Sequence, residues 1–365
     1  MATTIHVALE ERSYDIEIGR GNLARAADFL GQRLPKCRHA AVITDENVAR
    51  VQAAAAVKAI GAGGLKCDLL TVPAGEASKC VNQAERLWNE LVRLKVDRQA
   101  AIVAVGGGVV GDLAGFVAAT FARGLPLVQF PTTLLAQVDS SVGGKVGINL
   151  PAAKNIIGAF WQPAGVLIDL DVLSTLPERE YRSGLAEVVK YGVILDADFF
   201  EYLERHAAAL CSREPEVLEK VIARSCQLKA SVVERDEREV TGQRAVLNYG
   251  HTFCHAIETV TGYGRYLHGE AVAIGMDCAA RLAAELDRID DSLTRRQRKL
   301  LEALGLPVTM ERLSVDALMA AMQRDKKAAQ GRLRLVLPSR LGHVELVDGV
   351  ADELVRKVWN ETEAT

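Results

Sequence analysis

The chain has 365 residues, 49% of them apolar and 25% charged, which is ordinary globular composition with room for two domains and excludes collagen-like, coiled-coil and disordered chains. With 44 Lys+Arg against 47 Asp+Glu the net charge is −3, so no global field draws the chain to nucleic acid or an anionic membrane, and any anion site must be local. Aromatic residues, at 5%, are too few for base-stacking platforms.

In chain order, the alternation over 5–18 predicts an opening strand pair. Residues 39–44 then read as a buried strand, 47–60 as an Ala-rich helix, and 65–72 as a strand stopped by Pro73. A helix over 82–94, a buried strand over 100–105, a helix over 113–122 and a strand over 127–130 follow. Strands alternating with helices predict a mostly parallel, doubly wound sheet. Beyond about 175 helix formers dominate, over 182–194, 198–210, 216–235, 252–260, 269–286 and 295–304, and only 332–338 and 343–347 read as a hairpin. The expected organisation is an α/β domain over 1–175 and a mainly α-helical domain over 176–365, with a cleft between them as the default site.

Seven cysteines, an odd number without a C-x-x-C, argue against a disulfide framework or a Cys-rich zinc module. Reduced thiols suit a reducing cytosol. The first eighteen residues carry Glu10, Glu11, Arg12 and Asp15 rather than a basic segment followed by an apolar run, so no signal peptide is read. The apolar stretch 100–122 contains a glycine cluster and Asp112 and reads as strand, turn and helix, not as a membrane span.

Three constellations carry chemistry. Gly106-Gly107-Gly108-Val109-Val110-Gly111-Asp112 follows a strand and opens a helix, where bare backbone and a helix N-terminus suit a pyrophosphate. No acidic residue follows at the spacing that takes a ribose; Asp45, after an earlier strand, is the candidate. A tight glycine turn is the plain alternative, but four glycines exceed what a turn needs. Next, Thr132-Thr133, 139–147 and Lys154-Asn155 place hydroxyls, glycines and two lysines after a strand, which suits a phosphate or polyol or, equally, a solvated loop. Third, three of the seven histidines, His251, His255 and His268, fall within eighteen residues. His251 and His255 are one helical turn apart, as are Glu187 and Lys190. Two or three of these histidines with Glu187 make an open catalytic zinc site, against the plainer reading of capping and core histidines. Singly, Arg123, Lys229, Arg244, Lys326 and Lys327 read as surface charges.

Taken together these strings resemble the 3-dehydroquinate synthase family. The resemblance runs through PAGEASK (73–79), GGGVVGD (106–112), ATFARG (119–124), PTTLLAQVDSSVGGKVGIN (131–149), KNIIGAF (154–160), SGLAEVVKYG (183–192), LNYGHTFCHAIE (247–258), HGEAVAIGM (268–276) and DKK (325–327). It implies a nucleotide-binding α/β domain, a helical domain, tightly bound NAD, one divalent metal (zinc or cobalt), a cytoplasmic location and a homodimer. The implied substrate is 3-deoxy-D-arabino-heptulosonate 7-phosphate, a phosphorylated sugar acid. It is converted to 3-dehydroquinate and phosphate in the shikimate route to aromatic amino acids. The implied sequence is transient oxidation by NAD, phosphate elimination, reduction, ring opening and aldol closure.

By position, the resemblance implies metal ligation by Glu187, His251 and His268. His255 then acts on substrate rather than on the metal. Cofactor contacts fall on Asp45, Asn47, Glu76, Lys79, Gly107, Gly108, Val109, Gly111, Asp112, Thr132, Thr133, Lys145, Lys154, Leu173 and Thr175. Substrate contacts fall on Asp139, Lys145, Asn155, Lys190, Lys229, Arg244, Asn248, His255 and Lys326, with Arg123 lent by the neighbouring subunit. Catalytic roles fall on Lys145, Lys190, Glu239 and His255. Two departures stand out. Cys254 occupies the usual glycine of H-T-x-G-H, and the loop from Glu239 to Arg244 is one residue longer than E-x-G-x-R. Related cyclases close sedoheptulose 7-phosphate or glucose 6-phosphate, which lack the carboxylate; Arg244 and Asn248 favour the dehydroquinate branch. Glycerol dehydrogenases share a glycine cluster and a similar metal site but lack K-x-G-I-N and D-K-K. A non-catalytic nucleotide-binding protein would be expected to have a broken Glu-His-His set.

Overall fold

The computed structural model describes residues 3–151, 153–262, 264–326 and 333–363. They form two compact units, Met1–Pro177 with Glu219–Arg238, and Glu178–Leu218 with Glu239–Thr365.

The first unit opens with the antiparallel pair β1 (Thr3–Val7) and β2 (Tyr14–Gly19). It continues through α1 (Ala26–Arg33), β3 (His39–Asp45), α2 (Ala54–Ala62), β4 (Lys66–Val72), α3 (Val81–Arg93), β5 (Ala101–Gly106), α4 (Gly108–Thr120) and β6 (Leu127–Pro131). A hairpin, β7 (Lys145–Leu150) with β8 (Ala153–Phe160), and β9 (Gly165–Asp169) complete it. The seven-stranded sheet runs β1-β2-β9-β6-β5-β3-β4, parallel except for its first pair.

Its central strands β9, β6 and β5 are buried at every position because both faces are covered, and β5 is apolar throughout. In β5 the period-2 alternation sends Ile102 and Ala104 to a core completed by α3 and α4, through Leu87, Leu91, Leu113 and Val117. Val103 and Val105 point the other way, against Phe29 and Leu30 of α1 and Ala56 and Ile60 of α2.

The second unit contains α5 (Glu178–Leu195), α6 (Ala197–Arg205), α7 (Ala207–Cys211) and the start of α8 (Pro215–Arg235). It resumes with α9 (His251–Thr261), α10 (His268–Glu285), α11 (Asp291–Ala303), α12 (Val315–Lys326), the hairpin β10 (Arg334–Arg340) with β11 (His343–Asp348), and α13 (Asp352–Asn360). Trp359 is fully buried, ring to edge with Phe253 at 5.1 Å.

The α/β-then-helical order is as the sequence predicts. Three features differ in detail. The residues from 219 to 238 belong with the first unit rather than with an unbroken 176–365. There Glu234 accepts from the Ala8 amide at 2.8 Å, Lys229 donates to the Asp139 carbonyl at 2.8 Å, and Arg12 pairs with Glu237. The glycine- and lysine-rich stretch from 145 to 160 is a β-hairpin, not a loop, since Gly147 and Gly158 let its strands close tightly (a Cβ on Gly158 would lie 2.4 Å from the Val146 carbonyl). And α4 starts at Gly108, five residues before the apolar periodicity, because the glycines themselves form its first turn.

Candidate active site: a glycine-lined helix start and a histidine–carboxylate triad

In the first unit β5 delivers the chain to Gly107, which caps α4 without any side-chain hydrogen bond. The first N–H groups of α4 are therefore left for an anion, reinforced by the helix dipole. None of Gly106, Gly107, Gly108 and Gly111 has a positive φ; close approach, not turn conformation, is what requires them. A Cβ on Gly107 would lie 3.0 Å from Thr133, one on Gly108 3.1 Å from Ser140 Oγ, and one on Gly111 2.9 Å from Gln129 Oε1.

In this unit the predicted cofactor and substrate residues take definite positions. Lys79, buried, donates to Asp112 at 2.6 Å. Burial raises the Asp112 carboxyl and Lys79 opposes that rise. Asn149 donates to Glu76 at 2.7 Å and accepts from the Asn155 amide at 2.8 Å. Thr132 is buried, and Thr133 Oγ1 accepts the Ala136 amide at 3.1 Å. Asp45, at the end of β3, accepts from the amides of Asn47 and Val48, and burial raises its carboxyl. Val109 is half-buried, whereas Lys145 is exposed at the start of β7, close in sequence to the half-buried Lys154 on β8. Thr175 accepts from Gln52 at 2.6 Å. Leu173, only 1% exposed, has almost no surface for a cofactor to touch. Lys229 pairs with Asp139 at 2.9 Å. Arg123 is exposed, in a left-handed bend with Ala122 that ends at Gly124.

In the second unit three helices each bring one side chain that could ligate a metal. Glu187 lies within α5, fully buried; His251 and His268 are the first residues of α9 and α10. Glycines allow the approach. A Cβ on Gly269 would stand 1.8 Å from the Ser183 carbonyl oxygen of α5, and one on Gly275 2.2 Å from the carbonyl of Gly250. The start of α10 is further tied to α5 by the Gly269 amide donating to Ser183 Oγ at 3.0 Å. In addition, Arg179 forks onto Glu270 with both contacts at 2.7 Å.

The result is a carboxylate oxygen and two imidazole nitrogens within 4.8 Å of one another. Both Nε2 atoms lie 3.5 Å from Glu187 Oε1. Ligands at about 2.0–2.2 Å from a tetrahedral ion stand about 3.3–3.6 Å apart, so the donor set fits a zinc-like cation. His251 Nδ1–H donates to the Tyr249 carbonyl at 3.1 Å, leaving Nε2 as the lone-pair nitrogen. That carbonyl is steadied in turn: the Tyr249 hydroxyl donates to Gln297 at 2.7 Å, and Gln297 donates to the Met276 carbonyl at 2.9 Å.

Burial, with Lys190 adding to it, pushes His251 down to about 3, so it is the neutral imidazole a metal needs. Burial also works to lower His268, but Cys254, Glu187 and Glu258 outweigh it and hold the ring well above its usual range. Lys190, one turn along α5 and 2% exposed, ion-pairs with Glu187. Burial raises the Cys254 thiol.

His255 is exposed, its ring 5.7 Å from His251, and lies outside the triad, so the four-residue histidine spacing does not make a ligand pair here. Arg244 is buried and Asn248 exposed, both within the turn Gln243–Asn248. Glu239 is exposed, with φ 56°. Lys326 ends α12; its side chain and the whole of Lys327 lie outside the described residues. Two participants were not anticipated, the Tyr249 carbonyl and Glu258, whose Oε1 lies 3.2 Å from His268 Nδ1. Glu258 was detectable as the residue seven positions, or two turns, after His251. The carbonyl has no sequence signature.

A family profile described as 3-dehydroquinate synthase N-terminal matches residues 69–183, and one described as 3-dehydroquinate synthase C-terminal matches 184–328. The chain is 49% identical over 357 residues to 3-dehydroquinate synthase of Rhodopirellula baltica, covering 96% of this chain and 95% of that protein. It is 48% identical to that of Desulforamulus reducens, covering 98% and 99%. Among solved structures, 2-deoxy-scyllo-inosose synthase complexed with carbaglucose-6-phosphate, NAD+ and Co2+ superposes with a TM-score of 0.89 at 28% identity, over 99% of this chain and 100% of that one. The 2-epi-5-epi-valiolone synthase of Streptomyces hygroscopicus, with NAD+ and Zn2+ bound, gives 0.89 at 28% identity, over 97% and 98%. A probable glycerol dehydrogenase from Sinorhizobium meliloti, at 17% identity and a TM-score of 0.67, shares the fold.

Proposed function

The chain belongs to the 3-dehydroquinate synthase family, and from that premise we propose that it converts 3-deoxy-D-arabino-heptulosonate 7-phosphate to 3-dehydroquinate and phosphate. It acts as a carbon–oxygen lyase that uses NAD and one divalent metal, zinc or cobalt. The observation that carries the reading is the Glu187–His251–His268 cluster with Lys190 against it. When bound, NAD supplies a hydride acceptor that is regenerated within the turnover, and the metal supplies Lewis acidity toward the substrate hydroxyls.

The chain's own residues bind, orient and neutralise. The start of α4 takes the cofactor pyrophosphate on free N–H groups, and Lys79 holds Asp112 beside it. Glu187, His251 and His268 hold the metal. Lys190 neutralises Glu187 and keeps a cation where negative charge develops on the substrate. Asp139 fixes the Lys229 ammonium, and Lys145, Asn155, Arg244, Asn248, His255 and Lys326 orient phosphate, carboxylate and hydroxyls.

The assembly proposed is a homodimer in which Arg123 serves the neighbouring subunit's phosphate. Two observations support it. Arg123 is exposed in a fixed bend whose Gly124 packs on Trp161, and the strand leading into Trp161 exposes Ile156 by 61% and Phe160 by 40%. The proposed location is the cytoplasm; among the described residues no helix is long and apolar enough to cross a membrane.

The test is phosphate release from the heptulosonate 7-phosphate by metal-loaded protein with catalytic NAD, with mass spectrometry of the product. A carbocyclic acid plus phosphate, no net NADH and loss of turnover on chelation are expected. Turnover of sedoheptulose 7-phosphate instead would overturn the substrate assignment, and NADH accumulation with glycerol would overturn the reaction class.

A further inference from the structure

His268 carries a second set of donors on its other ring nitrogen. While Nε2 faces Glu187, Nδ1 lies 3.2 Å from Glu258 Oε1 and 3.8 Å from Cys254 Sγ. The thiol sulfur, a Glu258 oxygen and the imidazole nitrogen all fall within 4.8 Å of one another. Cys254 and Glu258 are four residues apart on α9, so one helix face presents both, and both are buried, at 0% and 5% exposure. His268, with 29% of its side chain exposed, leaves a way in from solvent.

The spacing is that of a ligand set. With sulfur about 2.3 Å and nitrogen or oxygen about 2.0–2.2 Å from a tetrahedral ion, donor atoms stand about 3.3–3.7 Å apart. The two observed separations bracket that range. The hydrogen-bond contacts of the thiol, with His268 Nδ1 and the His268 carbonyl, are both long at 3.8 Å. Thiolate, carboxylate and imidazole together favour a soft or borderline divalent ion over magnesium or calcium.

We propose that Cys254, Glu258 and Nδ1 of His268 form a second cation site, for an ion such as Zn2+, Cd2+ or Co2+, back to back with the Glu187–His251–His268 triad and sharing its histidine. Binding displaces the thiol proton and the Nδ1 proton to solvent. With the triad empty the ring keeps only its Nε2 proton; with both sites filled that proton also leaves to solvent, and each ring nitrogen serves one ion. One ring serving two ions couples the sites, so loading of either changes the affinity of the other by the same factor.

The proposal goes beyond the dehydroquinate synthase reading and does not need it. It is tested by titrating the full-length protein with Co2+ alone, following near-ultraviolet absorption and metal stoichiometry by elemental analysis. Two equivalents and a thiolate-to-cobalt charge-transfer band are expected. Cys254→Ala should lose the band and one equivalent. Glu258→Gln should weaken binding of the band-forming ion while leaving the triad equivalent in place. Glu187→Gln should lose the triad ion and keep the band, which separates this site from the proposed catalytic one. Should the alanine variant fold poorly by circular dichroism, Cys254→Ser keeps the volume and removes the thiolate. A band absent from the unaltered protein, or a band or second equivalent that survives both Cys254 variants, would overturn the site.

Discussion

At the residue scale, single groups act through their neighbours. Arg12 forks onto Glu237 at 3.0 and 2.9 Å, and Gln162 donates to the same carboxylate at 3.1 Å. The Arg12 hydrogen bond, helped by Gln162, holds Glu237 below the ordinary glutamate value. A carboxylate depressed in the folded state contributes stability above its unfolded pKa and loses it as pH falls through the folded value. Stability measured by urea unfolding should therefore drop below about pH 4.5. Arg12→Ala should remove part of that dependence, with the two proteins differing at pH 7 and converging in acid. A difference that persists unchanged at low pH would assign the Arg12 effect to packing instead. The strut matters because Gln162 also packs under Gly144, where a Cβ would lie 2.7 Å from its side chain, one residue before Lys145.

At the scale of elements, glycine contacts decide where α5, α9 and α10 can lie. Gly269→Ala forces a methyl into the Ser183 carbonyl and must push α10 from α5. The expected cost is about 3 kcal/mol of stability, read by thermal unfolding, together with loss of zinc affinity, since His268 moves with the helix. Gly31, inside α1, has nothing within 4 Å of its Cβ position. Gly31→Ala should raise stability by about 0.4–1 kcal/mol and leave metal binding unchanged. Equal effects of the two substitutions would refute the close-approach argument.

At the scale of the whole molecule, the proposed loan of Arg123 predicts subunit complementation. Arg123→Ala and Glu187→Gln should each be inactive alone. Mixed at equal amounts after subunit exchange, half the dimers are hybrids with one complete site each, so about a quarter of the unaltered activity should return. Absence of recovery, with exchange verified by mass spectrometry, would place Arg123 in its own subunit's chemistry.

The sequence by itself determined what short-range pattern can encode. Residues 100–105 had to be a buried strand because every position is apolar, and the glycine run after it had to open a helix where backbone could meet an anion. Glu187, His251 and His268 stood out because ligand residue types cluster and match a family order. Only the tertiary structure decided which histidine nitrogens face Glu187 and that Lys145–Leu150 pairs with Ala153–Phe160 as a hairpin. It also put Glu219–Arg238 with the α/β unit and supplied the Tyr249 carbonyl that sets the His251 tautomer. The reason is physical. Periodicity and composition record which face of a segment is apolar, whereas metal ligation and tautomer choice depend on ångström-scale approaches between helices distant in sequence, and those are set by where a missing Cβ lets two backbones touch.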